Sequence, residues 1–133
     1  KLINVEKISS KKTIIVVCIL VFLIYLKSIF FDFVNFDDGA FIYENFRIKN
    51  FNLINLKWYF FNYLNGHYFP VTMLSYGLQA QIWGVSPMAF HVFNLILHLV
   101  NCYLVYRVLL KLDLNTFSIS FIVAIFGLHP IQI

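Results

Sequence analysis

Two adjacent carboxylates, Asp37-Asp38, and four imidazoles, His67, His91, His98 and His129, are the side chains best suited to chemistry in this sequence. A carboxylate can take a proton, bind a cation or cap a helix, and an imidazole moves protons near neutral pH. The acidic pair follows the polar run Asp32-Phe33-Val34-Asn35. Its structural use would be Asp37 as N-cap of a short helix through Gly39 to Glu44. His91, Asn94, His98 and Asn101 are spaced i, i+3, i+7 and i+10. At about 100° per residue they share an arc of about 80° on one helix face. A polar stripe on an otherwise apolar helix is expected to face a bundle interior, where interhelical hydrogen bonding is its ordinary use, above all for His98 and Asn101. His91 is nearer the helix start, in reach of a ligand. One metal held by His91 and His98 is excluded by distance, because seven helical residues separate them by about 10.5 Å and a metal–nitrogen bond is about 2.0–2.1 Å. A mixed metal site of Asp37, Asp38 and a histidine is not indicated by spacing.

The elements that must position these groups follow from composition. The 133 residues are 61% hydrophobic, 20% aromatic and 12% charged. Soluble domains carry about 45–50% apolar and about 25% charged residues, so an ordinary soluble enzyme and a disordered tail are both excluded. An all-α integral membrane fold is expected, with about three transmembrane helices and amphipathic interfacial helices in the first outer loop. The first span is placed at 13–31; at about 1.5 Å per residue it covers about 28 Å, close to the hydrocarbon thickness. A cleaved signal peptide would need a small-x-small site, which Ser28-Ile29-Phe30-Phe31 does not offer, so an uncleaved anchor is expected. The second span is placed at 87–110 and the third at 116–128, the latter short of the usual length of about 20 residues and interrupted by His129-Pro130.

Lys1, Lys7, Lys11 and Lys12 precede the first span, and Arg107 and Lys111 close the second. These anchors put the amino terminus in the cytoplasm and the loop 32–86 outside it. The net charge of +4 is therefore explained by membrane flanks, with no basic-aromatic stripe for nucleic acid. Within the loop, Phe51–Leu64 and Pro70–Trp83 are expected to lie along the bilayer, the latter opened by Pro and closed by Gly84. Trp58, Tyr59, Tyr63 and Trp83 suit the headgroup level, and a re-entrant Pro70–Trp83 is the competing arrangement. Cys18 and Cys102 fall in apolar runs and are read as small buried hydrophobes. On this topology Asp37, Asp38, His67, His91 and His129 share one membrane face, as acid–base work requires. Membrane lipids are the obligatory partners of such a chain, in the cytoplasmic membrane or the endoplasmic reticulum. Three spans and one loop use all 133 residues, so the chain is expected to be the amino-terminal piece of a longer protein.

Phe33-Val34-Asn35-Phe36-Asp37-Asp38, Glu44-Asn45, Gly66-His67-Tyr68-Phe69-Pro70-Val71-Thr72-Met73-Leu74-Ser75-Tyr76 and Gly84-Val85-Ser86-Pro87-Met88-Ala89-Phe90-His91 occur in that order, before Asn94, His98, Asn101 and His129-Pro130. As a spaced set over 33–133, this resembles the amino-terminal part of multi-pass glycosyltransferases with C-terminal tetratricopeptide repeats, related to protein O-mannosyltransferases of the GT-C superfamily. The resemblance implies an incomplete GT-C fold and a polyprenyl- or dolichyl-phosphate-linked sugar as donor. It implies inverting transfer to a hydroxyl of an acceptor protein or glycan, outside the cytoplasm or in the lumen. No resident cofactor or metal is assigned by it. Family members place an acidic residue in the first outer loop, where Asp37 and Asp38 stand, and either could take the acceptor's proton. Arg47, Lys49, His91 and His129 are the candidates to stabilise the departing lipid phosphate. Phe36 departs from the Trp or Tyr frequent before the acidic pair. The acidic residue that usually follows the His-Pro motif would fall past Ile133, so this stretch by itself is expected to be inactive. The competing class is a non-catalytic membrane assembly or transport subunit whose polar stripe only packs helices. A catalytic pair should face a cavity shared with His129; a capping pair should point to solvent with its oxygens on backbone N–H groups.

Overall fold

The computed structural model describes residues 2–132; the anchor Lys1 and the terminal Ile133 lie outside the described residues. Six α-helices occur in order: α1 (Leu2–Tyr25), α2 (Phe46–Lys49), α3 (Leu53–Phe61), α4 (Pro70–Trp83), α5 (Pro87–Leu109) and α6 (Thr116–Leu128). Short 3-10 turns follow α1 and α6, at Leu26–Phe30 and Pro130–Gln132, and a π-helical turn spans Gly39–Tyr43. No strand forms among the described residues. The chain divides into two compact units, one built from the stretch up to Ser28 with that from Phe93 onward, the other from Ile29 to Val92.

In the first unit α1 packs on α6. The contact is a seam, with Ile14, Val17, Val21 and Tyr25 buried on α1 and Ile119, Val123 and Gly127 on α6. Their spacings of three and four residues put each set on one helix face. Gly127 is required for the close approach: a Cβ there would stand 2.9 Å from Val21 Cγ2 and 3.1 Å from Cys102 Sγ. Most other apolar side chains of α1, including Ile15, Ile19, Leu23 and Ile24, are uncovered. Two stretches, Lys12–Phe30 and Pro87–Leu109, are helical, long and apolar enough to cross a membrane, and α6 is a shorter apolar helix. The first span was expected at 13–31, and the apolar candidate Lys12–Phe30 matches it closely; the helix that carries it already starts at Leu2. The flank has no Gly or Pro, and extending an existing helix adds one hydrogen bond per residue fixed.

The second unit has a core of Ile42, Ile48, Tyr59, Met73 and Phe90, with Phe33, Phe41, Trp58, Phe69 and Tyr76 packed around it. Both α2 and α3 pack on α4. The side chain of Asn52 caps α3 by accepting from Ile54 N and Asn55 N, at 3.0 and 2.9 Å. Asn45 caps α2 through Arg47 N, and its Oδ1 also accepts from the buried Tyr59 hydroxyl at 3.1 Å. Helix α4 keeps the expected bounds, with Pro70 in its first turn and Gly84 at φ 71° ending it. The ring of Phe51 lies where a Cβ of Gly77 would go, so that α4 position must be glycine. Between α3 and α4, Leu64 and His67 exchange two backbone hydrogen bonds around Asn65-Gly66. Both turn residues have positive φ, 48° and 78°, as a tight hairpin-type turn demands.

Candidate functional site

The polar turn at 34–38 sets the geometry of the acidic pair. The competing structural use made Asp37 an N-cap; it is Asp38 that precedes the π-helical turn, and its side chain makes no capping bond there. Asp38 Oδ2 instead reaches back and accepts the Val34 backbone N–H at 2.8 Å. Tyr43 donates its hydroxyl to Asn35 Oδ1 at 3.3 Å in the same turn. The two carboxylates are thereby unequal. Asp38 is half-buried and tied to backbone, whereas Asp37 is exposed.

Both line a cleft of about 310 Å³ together with Phe41, Ile42, Phe69, Thr72 and Tyr76. Thr72 and Tyr76 are one turn apart on α4, so a single helix face brings two hydroxyl-bearing residues to the cleft that the two aspartates also line. The Tyr76 ring rests on Phe90, with centroids 5.5 Å apart. Burial, with the Asp38 charge adding to it, pushes the Tyr76 phenol up, so it stays a neutral O–H donor. Phe41 and Phe69 pack edge to face at 5.0 Å and form the apolar wall. The exposed His67 ring lies against both of them, at 6.0 and 5.8 Å. A free carboxylate, two hydroxyls and aromatic faces make a cleft able to hold a hydroxylated ligand and withdraw a proton from it.

The remaining sequence candidates do not line this cleft. Arg47 lies with its guanidinium over the Trp58 ring at 3.9 Å and the Phe46 ring at 4.4 Å. Lys49 is exposed at the end of α2. His91 is half-buried, and its Nε2 is enclosed without a hydrogen-bond partner. His129 belongs to the other unit, where it ends α6; its carbonyl accepts from the Tyr25 hydroxyl at 3.1 Å and its Nδ1 from Ile131 N at 3.2 Å. No group of three His, Cys, Asp or Glu side chains able to hold a metal ion occurs among the described residues.

The polar stripe divides as well. His98 is buried and its Nε2 donates to the Gly127 carbonyl at 3.0 Å, an interhelical bond that requires the Nε2–H tautomer. The Tyr25 and Phe126 rings flank it at 5.8 and 5.9 Å. Asn94 and Asn101, expected on the interior face, are exposed. The buried positions Leu95, His98, Cys102, Tyr106 and Leu109 centre about 20° from His91 on the helical wheel, in the direction away from the asparagines. The asparagines sit at about −60° and −80° on that wheel, beyond the packed face.

Thr72 and Tyr76 were not singled out as site residues from the sequence. Their signal was the i, i+4 spacing behind Pro70, which marks one helix face without saying what it faces. No family description, curated protein or solved structure matches this chain.

Proposed function

We propose that this chain carries the acceptor-activating outer loop of a GT-C-type membrane glycosyltransferase that uses a polyprenyl-phosphate-linked sugar as donor. In this reading it is a multi-pass membrane protein with its amino terminus in the cytoplasm and the unit from Ile29 to Val92 outside. The observation that carries the reading is the unequal acidic pair in a polar-aromatic cleft: Asp38 fixes the turn through Val34 N, and Asp37 is left exposed on the lining. Asp37 is the base. It takes the proton of an acceptor hydroxyl as that oxygen attacks the anomeric carbon; the bond from that carbon to the phosphate oxygen breaks, and the lipid phosphate leaves as an anion. The phosphate needs charge stabilisation more than a proton. The ordered motif set from Phe33 to His129-Pro130, which resembles this superfamily, is the second support.

The test is sugar transfer by membranes containing the complete gene product, with polyprenyl-phosphate hexoses as donors and the anomeric configuration of the product read by NMR. Inverted product that depends on this gene is expected. Absence of transfer from every such donor, with the protein inserted and folded, would sink the reading. A second reading is favoured by two observations: the His98 to Gly127 bond uses the most buried polar group of the stripe for packing alone, and the acidic pair meets the criterion set for a capping pair, with Asp38 on the Val34 backbone N–H, Asp37 exposed and His129 absent from the cleft lining. In that reading the chain is a non-catalytic assembly subunit, and the same absence of transfer is its expected result.

A further inference from the structure

Arg47 is a firmly braced cation. Its guanidinium stacks on Trp58 and on Phe46, at 3.9 and 4.4 Å, and its backbone N–H is held by Asn45 Oδ1 at 3.0 Å. Stacking engages the faces of the guanidinium and leaves its in-plane N–H groups free, in the fork geometry that matches a phosphate. No carboxylate pairs with it among the described residues, and no Asp or Glu occurs anywhere from Asn45 to Leu112. Lys49 and Lys57 are exposed on the same short stretch. Uncovered apolar side chains accompany them: Phe46, Leu53, Ile54 and Phe61, the last 83% exposed. Basic side chains free of acids, set among uncovered aromatic and aliphatic ones, are the composition of a surface at the headgroup level of an anionic membrane.

We infer that Arg47, braced by Trp58 and Phe46, binds the phosphate of an anionic phospholipid headgroup, and that Lys49 and Lys57 add to the attraction. The site is separate from the lining of the Asp37 cleft. The inference rests on the chain being in a membrane and not on the transferase reading, so either can fail alone. It has a consequence for the earlier expectation that Arg47 and Lys49 serve the donor phosphate: they anchor the outer unit to bulk lipid instead.

Trp58 reports on the site directly. The chain has two tryptophans, and Trp83→Phe leaves Trp58 as the sole emitter. This variant is reconstituted in vesicles of phosphatidylcholine containing either brominated phosphatidylglycerol or brominated phosphatidylcholine at equal mole fraction. About twofold stronger quenching by the brominated phosphatidylglycerol is expected, since each basic group at a surface enriches anionic lipid appreciably. Adding Arg47→Gln should remove most of the preference, leaving only the share of Lys49 and Lys57, at unchanged helix content by circular dichroism, and Arg47→Lys should keep more of it than Arg47→Gln. Equal quenching in the parent variant overturns the inference whether or not any substitution folds. So does a preference that Arg47→Gln leaves undiminished. Reversal by millimolar inorganic phosphate would make this a small-anion site and overturn the lipid assignment. Quenching confined to brominated polyprenyl phosphate in neutral vesicles would return Arg47 to the donor.

Discussion

The two units solve packing differently. In the Ile29–Val92 unit the buried positions are large and partly aromatic, and Asn45, Asn52 and Asp38 tie the backbone with side-chain oxygens. In the unit formed up to Ser28 and from Phe93, helices meet along a seam of mainly small and β-branched residues with Tyr25, and polar contacts come from the buried His98 and the Tyr25 hydroxyl. Water is a strong competitor for polar groups and a strong driver of apolar burial; lipid is neither. If, as proposed, the Ile29–Val92 unit lies in water and the other in lipid, the former can keep turns, caps and an open polar cleft, whereas the latter keeps its backbone groups inside helices. Chemistry needs exposed polar groups at fixed positions, and the unit whose turns are tied by side chains is the one that has them.

If this contrast is right, the same truncation should cost more in one unit than in the other. Ile48→Ala, at a fully buried position in α2, should destabilise the Ile29–Val92 unit by about 2–5 kcal/mol, the range for such core deletions. Ile119→Ala, the same truncation at a buried position in the α1–α6 seam, should cost distinctly less, because its side chain loses packing but no transfer from water. Thermal unfolding in bicelles, followed by hydrogen exchange in α2, α4 and α6, separates the two. Equal losses would break the comparison.

The next effect is smaller. Asn52→Ala removes a side-chain oxygen that accepts from two backbone N–H groups and should cost about 1 kcal/mol, read as faster exchange of the Ile54 and Asn55 amides. His98→Leu should cost less still, about 0.6 kcal/mol, the average for interhelical hydrogen bonds in membranes. Its measure is unfolding by sodium dodecyl sulfate from bicelles. A loss several times larger would mean that this histidine holds more than the Gly127 carbonyl.

What the sequence made legible follows from how local each signal is. Pro70 and Gly84 bound α4 because a missing N–H and a positive φ act on their own residue. Asn115 likewise starts α6 by capping Ser118 N at 2.9 Å. The long apolar runs gave both candidate spans by length and composition. The acidic pair was visible as a pair, but its inequality depends on Asp38 reaching back to Val34 N just ahead of the π-helical turn, which no local propensity encodes. The face of α5 was misjudged for Asn94 and Asn101 because polar spacing says that residues share an arc, not which arc the neighbours cover. Asn65-Gly66 is a strong turn signal that went unused, and it places His67 against Phe41 and Phe69. The stacking of Arg47 joins Phe46 to Trp58, in a different helix, so charge and aromatics were readable while their contact was not.

The unequal acidic pair is the centre of this account, and comparing its two members tests it most directly. Asp37→Asn and Asp38→Asn are made in the complete gene product, and sugar transfer is measured beside circular dichroism and membrane insertion. Loss of a general base should lower the rate by about 10²–10⁴-fold in Asp37→Asn with an unchanged spectrum. Asp38→Asn can still accept the Val34 N–H through its amide oxygen, so it should retain a larger share of the activity. Full activity in Asp37→Asn would contradict the account, and so would a greater loss in Asp38→Asn than in Asp37→Asn.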